Sequence, residues 1–207
     1  MFSSPLSPMQ HMHWRKYAAE CLGTGTLTLA VLVSLRFPMA ISTPLIAALT
    51  LGFFVYTIGS VSGAHINPAV TAGFWSVGKI EPPEAMKYML SQVIGGLIAM
   101  FAFTYVLGDL PSINAASVPL TFVAEAVGTF LFLIGISAVV AEKVRPDASG
   151  IVIGGSLLLG ILIASAASNG VLNPAVAIGI RSWTWAYITG PIIGAIAGCW
   201  FSRWLYR

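Results

Sequence analysis

Two asparagines and two glutamates are the residues through which this chain could do chemistry. Asn67-Pro68-Ala69-Val70 recurs as Asn173-Pro174-Ala175-Val176, 106 residues on. Ala19-Glu20-Cys21-Leu22-Gly23-Thr24 matches Ala124-Glu125-Ala126-Val127-Gly128-Thr129 at an offset of 105. Asn is a good N-cap and Pro fits the first helical position, so each Asn-Pro-Ala begins a helix. Gly78 and Pro82-Pro83 follow the first motif and Arg181-Ser182 the second, so both helices are short, about 68 to 77 and 174 to 180. A helix start carries free N–H groups and positive potential, and an asparagine amide adds donors. That chemistry holds and orients a polar neutral molecule. Bond breaking needs more: no nucleophile, base and metal-ligand cluster converges, so no enzyme, metal or cofactor is expected. His11 and His13 form a pair that lacks a third ligand.

The elements around these residues are apolar. Of 207 residues, 57% are hydrophobic and 8% charged, against roughly a quarter charged in soluble domains. Several runs are long enough to cross about 30 Å of hydrocarbon, which makes the chain an integral membrane protein in a lipid bilayer. Residues 1–13 read as a flexible cytoplasmic tail and 14–207 as a single domain. The spans are placed at about 14–35, 41–61, 85–107, 119–141, 150–167 and 183–204. Cys21 and Cys199 fall within spans as packing residues. The net charge of +3 is small and does not suggest nucleic acid.

With a cytoplasmic N-terminus, Arg15, Lys16, Lys79, Lys87, Lys143, Arg145, Arg203 and Arg207 lie inside, and Arg36 and Arg181 outside. Eight basic residues against two put both termini in the cytoplasm, and short links suggest a plasma (inner) membrane. Trp14, Trp183, Trp185, Trp200 and Trp204 stand near span ends, as interfacial aromatics do.

The two repeats share nearly the same offset, so the halves, about 14–107 and 119–205, are copies. Each has three spans, an odd number, so the second enters the membrane with opposite polarity. An inverted repeat places its site at the pseudo-two-fold axis near the bilayer midplane. The short helices are expected to fold back as half-helices whose positive ends meet there, lined by the backbone before each Asn. Such an arrangement repels cations and interrupts a continuous water file. Glu20 and Glu125, the carboxylates inside spans, are read as acceptors for the re-entrant loops in preference to a proton relay. Gly190, Gly194 and Gly198 form a small-residue face for helix contact, within or between subunits.

Ser62-Gly63-Ala64-His65-Ile66-Asn67-Pro68-Ala69-Val70-Thr71-Ala72-Gly73 resembles the first signature of the aquaporin (major intrinsic protein) family. Ala19-Glu20 and Ala124-Glu125 resemble its buried glutamates. The resemblance covers about residues 14 to 205. It implies an all-α membrane fold, an aquaporin-like inverted repeat of six transmembrane helices plus two re-entrant half-helices. It also implies a homotetramer with one pore per subunit and passive flow of water or small neutral solutes. His65 would line the pore or support its loop. The departure is Val176, where the family nearly always has the Arg of its outer selectivity filter. Gap-free counting puts the other filter positions at Ala47, Ile161 and Gly170. These four residues would make a wide, apolar filter with a weakened cation barrier. Arg181, five residues after Val176, reads as an interfacial anchor. Ala177 and Ile178 stand near where the glycerol-conducting branch carries an Asp, so glycerol is not assigned. A secondary transporter and a non-conducting structural protein are the alternatives. The first lacks ionisable groups at the midplane beyond the two glutamates, and the second leaves the half-helices without a purpose.

Overall fold

The computed structural model describes residues 8–113, 118–182 and 184–207, with side chains from Trp14 onward. His11 and His13, as a side-chain pair, and Trp183 lie outside the described residues. Among the described residues, eight α-helices follow in order: α1 Pro8–Arg36, α2 Thr43–Ser62, α3 Pro68–Ser76, α4 Pro82–Leu107, α5 Pro119–Val140, α6 Ser149–Ala164, α7 Pro174–Gly179 and α8 Trp185–Leu205. A 3-10 turn, Pro146–Ala148, precedes α6. Proline sits at the first or second position of α2, α3, α4, α5 and α7, where its missing N–H is not needed.

Several helix boundaries differ from the expected ones. α4 starts at Pro82, not near Ala85: both prolines occupy its first turn, and Glu84 there favours the positive end of the helix. α1 starts at Pro8, so helical backbone reaches six residues into the stretch expected to be a tail. α6 stops at Ala164, three residues before Ala167, because the chain turns there towards the second loop. Among the described residues, five helices are long and apolar enough to cross a membrane. α8 has 21 residues but is not one of them; its Gly, Pro and Trp residues lower its mean hydropathy.

Packing repeats with the sequence. α1 lies along α4 and α5 along α8; α2 flanks α1 and α6 flanks α5; α2 and α6 meet across the middle. The short helices are exchanged between the halves: α3 packs on α8, and α7 on α4. Large apolar side chains such as Leu22, Phe53, Ile151 and Leu162 stay exposed on the outside, where hydrocarbon would meet them. At the end of the bundle carrying the N-terminus, Lys16 pairs with Glu84 at 2.5 Å, and the Tyr17 hydroxyl donates to Glu84 at 2.7 Å.

The glycine face of α8 packs within the chain, which answers the question that spacing left open. A Cβ at Gly190 would fall 2.9 Å from Phe122 O and one at Gly198 2.8 Å from Phe130 O, while Gly194 faces the Ala126 carbonyl, all on α5. Gly96 similarly faces Ala175 O of α7, 2.5 Å from where a Cβ would stand. Gly194→Val should therefore force α8 from α5 and cost about 3 kcal/mol or more. Loss of monodisperse protein in detergent, compared with Gly155→Val, where no atom stands within 4 Å, checks this.

Candidate functional site

Each re-entrant loop is built on a glutamate. Glu20 on α1 is fully buried. Its Oε1 accepts from the Ser62 hydroxyl at 2.6 Å and the His65 N–H at 3.0 Å; its Oε2 accepts from the Ile66 N–H at 2.6 Å and Gln92 Nε2 at 2.7 Å. Glu125 on α5 repeats the pattern with the Ser168 hydroxyl at 2.8 Å and the N–H groups of Val171 at 3.0 Å and Leu172 at 2.7 Å. In both loops the serine hydroxyl also receives the backbone N–H two residues on, Ala64 at 3.1 Å and Gly170 at 2.9 Å. The glutamates thus replace the helical partners that a loop at mid-membrane depth lacks.

The loops are strained at matching points. Ile66 has φ +38° and Leu172 φ +54°, in the left-handed region that a side chain disfavours by about 1–2 kcal/mol. Both are buried, and both donate their N–H to a glutamate Oε2. The charge-assisted bond holds the peptide in that conformation.

In this conformation each strained residue's own carbonyl faces the opposite half. Asn67 Nδ2 donates to Leu172 O at 2.9 Å, and Asn173 Nδ2 donates to Ile66 O at 3.0 Å. Asn67 Oδ1 caps α3 by accepting from Ala69 N at 2.8 Å; Asn173 Oδ1 caps α7 by accepting from Ala175 N at 3.1 Å and Val176 N at 3.3 Å. Each amide spends one hydrogen on the cross-bond. The second hydrogen of each is left for the space beside it. Pro68, Ala69, Pro174 and Ala175 are buried around this junction.

That space is a cavity of about 290 Å³ running from the end of the bundle opposite the N-terminus, beside Leu35 and Ile180, down to Asn67, Asn173 and His65. Ala47, Ile161, Gly170 and Val176 all line it. Its wall repeats as well: Leu27 and Phe132, and Leu51 and Leu157, stand one repeat apart. Gly170 has φ +61°, and a Cβ there would fall 2.7 Å from Ser165 Oγ and 2.8 Å from Ile161 O, so this position must stay open. Neither glutamate lines the cavity.

His65 borders this cavity and a second of about 550 Å³ at the N-terminal end, lined by Lys16, Lys79, Glu84 and Tyr88 among others. Its ring packs against Phe74 and Tyr88, with centroids 5.3 Å away in each case, and its Nδ1 lies 3.1 Å from Thr71 Oγ1. Gln92 links Thr71 to Glu20, 3.0 and 2.7 Å away. The second half lacks this branch, since one repeat on from Thr71 and His65 stand Ala177 and Val171.

Sequence reasoning did not single out Ser62, Ser168, Thr71, Gln92, Tyr88 or Tyr187. The serines stand one repeat apart, 106 residues, a signal that was present. Tyr88, which donates to Ser62 O at 2.9 Å, and Tyr187, whose hydroxyl accepts from Asn169 N at 3.0 Å, stand 99 apart, hidden by the different connection lengths.

Residues 8–202 match the family described as Major intrinsic protein. The chain belongs to that family. The major intrinsic proteins are membrane channels, so this chain is a channel and not an enzyme. It is 33% identical to Aquaporin NIP1-1 of Arabidopsis thaliana, covering 90% of this chain and 72% of that protein. Glycerol uptake facilitator protein-like 6 of Lactiplantibacillus plantarum is 34% identical, covering 91% and 97%. Aquaporin Z of Photorhabdus laumondii is 32% identical, covering 93% and 97%. Among solved structures, the aquaglyceroporin from Plasmodium falciparum superposes with a TM-score of 0.77 at 22% identity, over 91% of this chain and 95% of that one. The fold is the aquaporin inverted repeat.

Proposed function

We propose that this channel passes water and small uncharged solutes, including solutes larger and more lipophilic than water, through a wide apolar outer filter. The observation carrying this reading is the cavity wall, where Ala47, Ile161, Gly170 and Val176 present no charge, no aromatic ring and no side-chain donor. A filter without hydrogen-bonding side chains neither replaces a solute's hydration strongly nor rejects a methylene group. The asparagine amides at its base supply the polar contacts. Relatives named as aquaporins and as a glycerol facilitator support the neutral-solute class. The protein works as a homotetramer in the plasma (inner) membrane, termini in the cytoplasm, a placement supported by its basic-residue asymmetry.

Stopped-flow light scattering on proteoliposomes tests the proposal. Native vesicles should pass water together with urea and a small lipophilic amide. Val176→Arg, which sets a long cation into the cavity, should cut entry of the larger solutes by about tenfold while water flux falls less. Native vesicles that conduct no faster than empty ones would overturn the channel assignment. Equal solute entry with and without the arginine would overturn the wide-filter reading.

A further inference from the structure

Resting on the channel reading above, we infer that Arg181, together with Arg36, supplies at the cavity mouth the cation barrier that the apolar filter lacks. Both arginines follow directly on residues that line the cavity. Leu35 closes the lining stripe of α1, which also includes Leu27 and Val31, and Ile180 closes that of α7. α1 and α7 are in contact, and Leu35 and Ile180 border the same cavity, so the residues that follow them stand beside one opening. Both arginines are exposed, and neither forms an ion pair among the described residues. Arg36 lies over the Phe37 ring, 5.6 Å from its centroid. Asp109 is the one acidic residue in the connections at this end, so the mouth keeps net positive charge.

The backbone at Arg181 adds an independent reason. α7 ends with the Ser182 N–H bonded to Ala177 O at 2.9 Å and the Arg181 N–H to Ile178 O at 3.2 Å, which puts Arg181 at φ +57°. α3 ends identically, with Lys79 N to Phe74 O at 2.9 Å and Gly78 N to Trp75 O at 3.0 Å, and there the left-handed residue is Gly78 at φ +74°. Glycine suits this position; a side chain disfavours it. Glu142 at the end of α5 shows that the turn accepts a side chain. The six-residue half-helix at the cavity mouth ends in the arginine and the nine-residue one in the glycine, so the two ends match in geometry although they stand three residues out of repeat register. A cation at the mouth of a low-dielectric cavity acts on an entering ion with little screening, and its field adds to that of the two half-helix ends.

Arg181→Gly gives the test, since glycine fits the conformation without strain. Proteoliposomes carrying native protein, Arg181→Gly, Arg181→Lys and Arg181→Gly/Arg36→Gln are compared for K⁺ flux in 50 mM and in 1 M salt, with water flux in the same vesicles counting open pores. The expected result is a K⁺-to-water flux ratio at least about tenfold above native for Arg181→Gly at low salt, larger for the double variant, and native-like for Arg181→Lys. The gap should narrow in 1 M salt, where the Debye length is about 3 Å. Water-conducting variants whose flux ratio equals native would overturn the inference and leave the channel reading standing. Native vesicles without water flux would overturn both.

Discussion

Glu20→Ala should unfold the first re-entrant loop and leave little correctly folded protein. The substitution strips the acceptor from the N–H groups of His65 and Ile66, the Ser62 hydroxyl and the Gln92 amide at once. A buried donor without a partner costs about 1–3 kcal/mol, so four of them approach the whole stability of a typical domain. Glu20→Gln should be milder. Its new NH₂ is best placed beside Gln92, whose amide can turn over to accept from it; the Ile66 N–H is then the one donor left opposed, a loss of about 1–3 kcal/mol. Thermal melting in detergent would rank the series native, Glu20→Gln, Glu20→Ala. A Glu20→Ala protein that melts and conducts like native would show that the loop is held by something other than this carboxylate.

Asn173→Ala should abolish most water flux, with a larger effect than Asn67→Ala. Both variants lose a cross-bond between the halves. Asn173 also accepts from two N–H groups of α7, a helix of six residues, whereas Asn67 accepts from one N–H of the nine-residue α3. A helix that short has no stability of its own and depends on its cap and packing. Flux per pore is expected to fall by more than about tenfold for Asn173→Ala and less for Asn67→Ala, a difference of about one capping bond. Stopped-flow rates normalised to reconstituted protein decide it, and the reverse ranking would overturn the argument.

Much of this architecture is legible in the chain because membrane folding leaves few alternatives. Long apolar runs can only be helices at bilayer depth, and a doubled Asn-Pro-Ala in register with a doubled Ala-Glu marks an inverted repeat. What escaped is governed by backbone geometry. No property of the letters Ile66 and Leu172 announces a left-handed conformation; it exists because a glutamate from another helix captures the N–H. The cross-bonds from Asn67 to Leu172 O and from Asn173 to Ile66 O depend on that conformation. Gln92 and Thr71 belong to one half only, so repetition could not reveal them. The start of α4 at Pro82 was readable in principle, since two prolines followed by Glu84 form a favourable first turn.

The exchange of the short helices between halves has a consequence for how the protein is made. Synthesis runs from α1 to α8, yet α3, which forms early, rests on α8, which follows it by more than a hundred residues. The Ile66 carbonyl likewise waits for Asn173. The first half therefore enters the bilayer with its short helix unseated, and the channel closes up as a unit only once α8 has been made. α8 acts as the keystone of the first half, so truncations that remove it should damage the earliest-made loop first.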